Sequence, residues 1–457
     1  MSLPQVRVPA RAAPAPAPWA LLGAVGGTCL AVALAGLGTV VTAFALFIQA
    51  LFIAFFIRHL SFAMSAFRSA PADLSAPLVE TGYQPRVSVL VACKNEEAVV
   101  EHLVQALLDL DYPRGLLEII VVDDASEDET GAILDRLAAT RPIRVLHRAP
   151  GSGGGKSGAL NDGLRNVTGE IVVVFDADHR PRRDVVRRLV RHFEDPSVAA
   201  VQGRCEISNT GDSPIALLVG IDYLAGYLVN EYGRQAMHSL PAYGGANCAV
   251  RADVLRSLGG WNTASVTEDT DLTLRVILAG LRVRYDVTAV DEEEGVTTIG
   301  RFWKQRYRWA RGHQQVWREY RSAVWRSPRL SLAQKVETTM FLLSFHLPMV
   351  SAIGLVLTFT WLGGLSSPPF QADLFVLWML LFLGPLMELG GGLLIARADR
   401  SWARSLFYFL PLFFVSMALC TKAWLDGILG RDYRWVKTAR ARDEGAPAAA
   451  AVRGRPA

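Results

Sequence analysis

Paired cysteines are missing from this 457-residue chain. Its five thiols, Cys29, Cys93, Cys205, Cys248 and Cys420, are odd in number, scattered and never in CxxC spacing. That excludes a disulfide framework or a zinc site of ordinary ligand spacing and suits reduced thiols facing a cytoplasm. Charge is also scarce. Charged residues make up 20% of the chain against 51% hydrophobic ones, and mean hydropathy is +0.25. The net charge of +4 is small, and no basic run carries an RNA- or DNA-binding motif, so nucleic acid is not an expected partner. No internal repeat is visible. No charge at all falls between Trp19 and Ile57. This exceeds one ordinary span and suits two helices of about 18 residues joined at Gly36-Leu37-Gly38. A cleaved signal peptide would have an apolar core of only about 7–15 residues. Arg7 and Arg11 precede the stretch and Arg58, His59 and Arg68 follow it. Positive charge on both flanks predicts a membrane hairpin over residues 19–60, behind a disordered Pro/Ala/Arg-rich tail at 1–18.

Apolar sequence returns after residue 335. Val336–Leu365 and Leu374–Ala396 are long enough to span and Leu406–Leu425 nearly so, with Ser366-Ser367-Pro368-Pro369 as an outer loop. Arg397, Arg400 and Arg404 look cytoplasmic, as does the tail from Arg431 to Arg442. One full span cannot join two cytoplasmic ends, so either the segment around Pro411 is re-entrant or interfacial or one charge cluster breaks the rule; Pro411, able to interrupt a helix, favours the former. Residues 336–430 then read as membrane helices and 431–457 as a cytoplasmic tail. His346 and Glu388 are ionisable groups inside the apolar stretches, a placement that points to function, such as lining a channel.

Between the apolar ends the texture changes. Residues 70–85, with Pro71, Pro77 and Pro85, read as a linker. Arg86–Ala92, Leu117–Val122, Ile143–His147 and the run opening at Ile171 read as strands, with another at Val198–Gly203. Helical patterns at Glu96–Leu110, Asp128–Thr140 and Ser157–Asn166 alternate with them. This predicts an α/β domain over residues 85–300 with a mostly parallel sheet. Residues 301–335 read as an amphipathic interfacial segment rich in arginine and aromatics.

The chemistry gathers at strand ends. Ile171 to His179 read IVVVFDADH. A buried strand cannot hold two carboxylates inside at low cost, so Asp176 and Asp178 belong at the carboxyl edge, where open α/β sheets bind ligands. If the chain stays extended they share one side, suiting a hard divalent cation that also holds a phosphate. Asp123-Asp124 end another strand and can face the same crevice. Lys156, in Gly153-Gly154-Gly155-Lys156-Ser157, opens a helix and favours anions. A P-loop is excluded, because the glycine required five residues before the GK dipeptide is Pro150.

Five motifs then stand in order between membrane segments: Asp123-Asp124-x-Ser126, Lys156-x-x-Ala159-Leu160-Asn161, Asp176-Ala177-Asp178-His179, Thr267-Glu268-Asp269 and Gln305-x-x-Arg308-Trp309. Together they resemble the family 2 processive membrane glycosyltransferases, the cellulose, hyaluronan, chitin and poly-N-acetylglucosamine synthases, over roughly residues 85–320. DADH and Arg306-Tyr307-Arg308-Trp309-Ala310-Arg311-Gly312 look like the cellulose form. His313 replaces the methionine expected next, and Val201-Gln202-Gly203-Arg204 is nearer to other glucan- or mannan-type enzymes. The resemblance implies a GT-A domain flanked by transmembrane helices. Asp269 would be the general base, with Glu268 supporting. Asp123, Asp124, Lys156, Asp176, Gln305, Arg308 and Trp309 would hold a UDP-sugar. Asp176, Asp178 and His179 would hold Mg²⁺ or Mn²⁺, and Gly245, Asn247, Cys248 and Trp309 would meet the acceptor.

Plainer roles compete. Thr267 and the acids after it are also helix-capping chemistry, and Cys248 could be an ordinary buried cysteine. The expected activity is inverting transfer of a hexose or N-acetylhexosamine to a growing β-linked polysaccharide. The protein would sit in a bacterial inner membrane with its catalytic domain in the cytoplasm, among membrane lipids. A lipid-linked acceptor is the alternative, and an inactive scaffold or transporter the alternative from another class.

Overall fold

Strands β1 (Val87–Cys93), β2 (Leu117–Asp123), β3 (Arg144–His147) and β4 (Ile171–Asp176) form the parallel half of one eight-stranded sheet. The computed structural model describes residues 18–79, 81–362 and 371–431. The expected tail at 1–17, the loop at 366–369 and the tail from 432 lie outside them. Strands β5 (Arg180–Pro181), β6 (Val198–Ile207), β7 (Cys248–Arg251) and β8 (Arg282–Glu293) complete the order β3-β2-β1-β4-β7-β6-β8-β5. Only β7 and β5 run antiparallel to their neighbours. The apolar runs follow from burial on both faces. Ile171, Val173 and Phe175 enter one core, while Val172 and Val174 enter the other.

A fully buried ion pair locks the domain's second half. Asp271 and Arg275, one turn apart on the Glu268–Leu278 helix, are both 0% exposed. Asp271 also accepts from Tyr320 Oη at 2.7 Å and Asn262 Nδ2 at 3.0 Å. This ties the helix to the long Ile299–Arg326 helix. Removing one partner strands the other charge out of water. Arg275→Met is therefore expected to cost about 3–5 kcal/mol, read as a lowered unfolding midpoint.

The apolar helices depart from expectation in three places. The chain does break at Gly36, but the second helix runs Leu37–Leu74, well past residue 60 and into the expected linker. Arg58 and His59 do not end it, because each finds a carboxylate: Glu337 and Glu388. The expected span from Val336 divides into Leu332–Leu343 and Leu347–Leu362, bent by 64°. Pro348 cannot donate to the Ser344 carbonyl, and its ring crowds that carbonyl. Near Pro411, the expected break, a 3₁₀ turn at Leu406–Tyr408 joins Arg400–Ser405 to the Phe409–Ile428 helix, so the helix tightens there without ending. Thr42–Leu74 and Arg400–Ile428 are each long and apolar enough to cross a membrane.

Candidate functional site

The carboxyl edge of the sheet opens on a cavity of about 780 Å³, and most of the expected residues line it: Asp124, Lys156, Asp176, Asp178, His179, Gly245, Glu268, Asp269, Gln305, Arg308 and Trp309. Strand β4 stops at Asp176, and a turn closes with His179 N–H donating to the Asp176 carbonyl at 3.2 Å. The turn, not strand alternation, brings Asp176 and Asp178 together. Their carboxylates and a ring nitrogen of His179 lie within 4.8 Å of one another.

His179 is 2% exposed and lies 2.5 Å from Asp291 through Nδ1 and 3.4 Å from Glu293 through Nε2. Burial would lower its pKa, but these carboxylates hold it well above the usual histidine range. A buried carboxylate behind one ring nitrogen is what a metal-binding imidazole ordinarily has. The two carboxylates fit a hard divalent cation, and His179 can join them only as the neutral imidazole, with Nε2 turned from Glu293.

Lys156 donates to the Gly245 carbonyl at 3.1 Å and pairs with Asp176. Burial lowers its pKa, but Asp176 and Glu268 more than offset this and the ammonium stays charged. Asp124 pairs with Arg148, which also donates to Asp162 at 2.8 Å and the Gly153 carbonyl at 2.8 Å. Asp123 does not line the cavity. It accepts from Ser126 N–H at 3.1 Å and meets His147 at 2.9 Å, so it shapes the loop behind Asp124.

Asp269 is the second residue of the Glu268–Leu278 helix, and its Oδ1 accepts from Thr270 N–H at 2.6 Å. Thr267 makes no capping bond, and its buried hydroxyl has no partner. The capping explanation therefore fails for Thr267. Gly245 has φ +79°, and a Cβ there would meet Asp269 Oδ2 at 3.2 Å. Glu268 has its pKa raised to about 6 by burial, then by Asp269, with Lys156 and Arg308 opposing. As pH falls through 6 the carboxyl takes up a proton and the charge facing Lys156 is lost. An acid limb near pH 6 is expected in kcat/KM, belonging to the Glu268–Asp269 pair. Glu268→Gln removes the neighbouring charge and should move that limb to lower pH.

Gln305, Arg308 and Trp309 face the cavity from the Ile299–Arg326 helix, and Gln305 Oε1 is buried without a partner. Arg306 pairs with Asp222 at 2.5 Å and stacks 4.4 Å from the Trp309 ring centre. Asn247 and Cys248 do not line the cavity. Asn247 is 0% exposed and donates to the carbonyls of Arg204 and Ala289, each at 3.0 Å. Cys248 is equally buried, in β7. Both shape the wall behind Gly245. Sequence reasoning passed over Lys94, which donates to the Asp124 carbonyl at 3.0 Å, and the Asp291–Glu293 pair behind His179. The acidic run 291–294 after an apolar stretch was the available signal. Glu388 lines the cavity, whereas His346 does not.

The family described as "Glycosyltransferase like family 2" matches residues 85–312. A "Probable glycosyltransferase YdaM" of Bacillus subtilis is 32% identical over 73% of this chain and 80% of its own length. The chain belongs to glycosyltransferase family 2. Within this family, the beta-monoglucosyldiacylglycerol synthase of Synechocystis is 38% identical over 61% of the chain, and the chain spans 58% of that relative's length. A poly-beta-1,6-N-acetyl-D-glucosamine synthase of Staphylococcus epidermidis is 28% identical over 54% of the chain and 59% of its own length. The fold is that of the mannosyltransferase PcManGT from Pyrobaculum calidifontis, solved with GDP-Man and Mn²⁺. It superposes with a TM-score of 0.56 at 23% identity, over 84% of this chain and 100% of that one. This member of glycosyltransferase family 2 thus has a GT-A-like α/β domain.

Proposed function

We propose that this enzyme is an integral membrane, inverting glycosyltransferase that moves one hexosyl or N-acetylhexosaminyl unit from a UDP-sugar to a lipid alcohol. One observation carries the choice of a lipid over a growing polysaccharide. The catalytic cavity continues between the apolar helices, past Phe52, Phe55 and Phe413, and shares Pro348, Leu389 and Phe409 with an apolar groove of about 870 Å³. Acyl chains suit such walls, while a polymer of hydroxyl groups would be left without partners there. The similarity to a glucolipid synthase points the same way.

Asp269 takes the proton of the acceptor hydroxyl as its oxygen bonds to the sugar's C1. The C1–O bond to the diphosphate breaks, its electrons leave with the nucleoside diphosphate, and the configuration inverts. Asp176, Asp178 and His179 would hold Mg²⁺ or Mn²⁺, which supplies Lewis acidity toward the leaving diphosphate. Lys156 and Arg308 add positive charge on the donor side, and Trp309 offers a flat apolar surface to a sugar ring. The helices Thr42–Leu74 and Arg400–Ile428 and their flanking arginines suit a bacterial plasma membrane with the domain in the cytoplasm.

Purified protein in mixed micelles with labelled nucleotide-sugars, a lipid mixture and Mg²⁺ or Mn²⁺ tests this. Label should enter one organic-soluble species carrying one sugar. A ladder of water-soluble polymer would overturn the lipid reading, and no incorporation from any donor would overturn the transferase itself.

A further inference from the structure

A belt of polar side chains crosses the cavity where its catalytic end meets the apolar groove. Gly226–Glu231 forms a π-helical stretch within the helix that continues to His238, and it presents Asn230 and Glu231 to the cavity. From the Leu37–Leu74 helix come Arg58 and His59, and from the Gln371–Ile395 helix comes Glu388. His59 Nδ1 pairs with Glu388 Oε1, and Asn230 Nδ2 donates to Glu388 Oε2 at 2.7 Å. Arg58 donates to Asn230 Oδ1 at 3.2 Å and forks onto Glu337 through two bonds of 2.9 Å. Arg234 joins Glu337 to Glu231, which accepts from Ala242 N–H at 2.7 Å, three residues before Gly245.

An apolar lipid groove does not need these groups. Glu388 is 7% exposed and shares the cavity wall with Phe55, Pro385 and Leu389. Ionisable groups in such a place are expensive and ordinarily mark a ligand path. The charge arrangement narrows the ligand. Arg58 and Arg234 face the three carboxylates Glu231, Glu337 and Glu388, so both guanidinium groups are already engaged. A phosphate headgroup would find no uncommitted cation in the belt and would meet Glu388. Hydroxyls and ester oxygens can use what remains: His59 Nε2 and the second amide hydrogen of Asn230.

We propose that His59, Asn230 and Glu388 form the headgroup subsite for an uncharged, hydroxyl-bearing glycerolipid acceptor. The proposal rests on the lipid-acceptor reading above and adds the headgroup class and the residues that select it. A bound acceptor lays its acyl chains in the groove and its glycerol backbone across the belt, with its free hydroxyl directed toward Asp269.

The full chain in mixed micelles is assayed with dioleoylglycerol and with polyprenyl phosphate as acceptors. Transfer is expected to the neutral lipid alone. In Glu388→Leu the KM for dioleoylglycerol should rise by about tenfold or more, with the KM for the donor and the affinity for UDP held within about twofold. Glu388→Gln, which keeps an acceptor for Asn230, should fall between. A purely structural clasp between helices would instead lower the unfolding midpoint and move both KM values together or neither. That result, or equal transfer to polyprenyl phosphate, overturns the proposal. Failure of the wild type to label any lipid would sink the lipid reading itself, a separate outcome.

Discussion

Asp269→Asn is expected to slow sugar transfer by about a thousandfold while UDP binding and the unfolding midpoint stay near wild type. The amide keeps the size of the side chain and an oxygen to accept from the Thr270 N–H, so the helix start is preserved. What it loses is the ability to take a proton from an attacking hydroxyl. The carboxylate lines the same cavity as the Asp176–Asp178 turn and lies beside Gly245, whose backbone leaves it just enough room. Single-turnover transfer with calorimetric UDP binding checks this. Near-normal turnover in Asp269→Asn would remove the residue from the chemistry.

Gly312→Ala is the second large effect, about a hundredfold in kcat, and it involves no reacting atom. A Cβ on Gly312 would lie 2.6 Å from Thr267 Oγ1 and 2.9 Å from its Cβ, and nearer still to Cγ2. Thr267 is too short to swing aside, so one element must move. On one side are Glu268 and Asp269, and on the other Gln305, Arg308 and Trp309. A shift of about 1 Å between such groups costs about a hundredfold in rate. Thr267→Gly in the same chain should restore much of the loss, because the two changes share one contact. If both single variants are slow and the double variant is slower still, the contact is not the cause.

Much of the α/β half could be read from the chain because its signals are local. A β-branched run followed by an acid locates a strand end whatever lies elsewhere, and Asp124, Asp176 and Asp178 are legible in that way. The motif glycines needed the third dimension. Nothing near Gly312 in sequence explains it, since Thr267 is 45 residues away in the chain. Asn247 looks like an acceptor-loop ligand in sequence, yet its amide is spent on two strand carbonyls. The polar belt was invisible for the same reason. Arg58 and Glu337 are 279 residues apart, so two charges in separate stretches of the chain neutralise one another inside the fold. The DADH histidine likewise takes its character from Asp291, 112 residues on.

The Leu37–Leu74 helix has a mechanical consequence. Its 38 residues extend about 57 Å, nearly twice the roughly 30 Å of a bilayer's hydrocarbon layer. Its far end is not a tether. Phe62, Ala63, Ala66 and Ala70 form one strip packed on Leu228, Val229 and Tyr285, and Asp73 accepts from Tyr232. Gly233 has room for nothing more, since a Cβ there would meet Phe62 at 2.6 Å. The helix therefore acts as a torsion rod, fixing the heading of the α/β domain relative to the rod's apolar first half. One inserted residue between Ile57 and Phe62 would turn that strip by about 100° relative to the segment before it, a rotation no flexible tether would transmit.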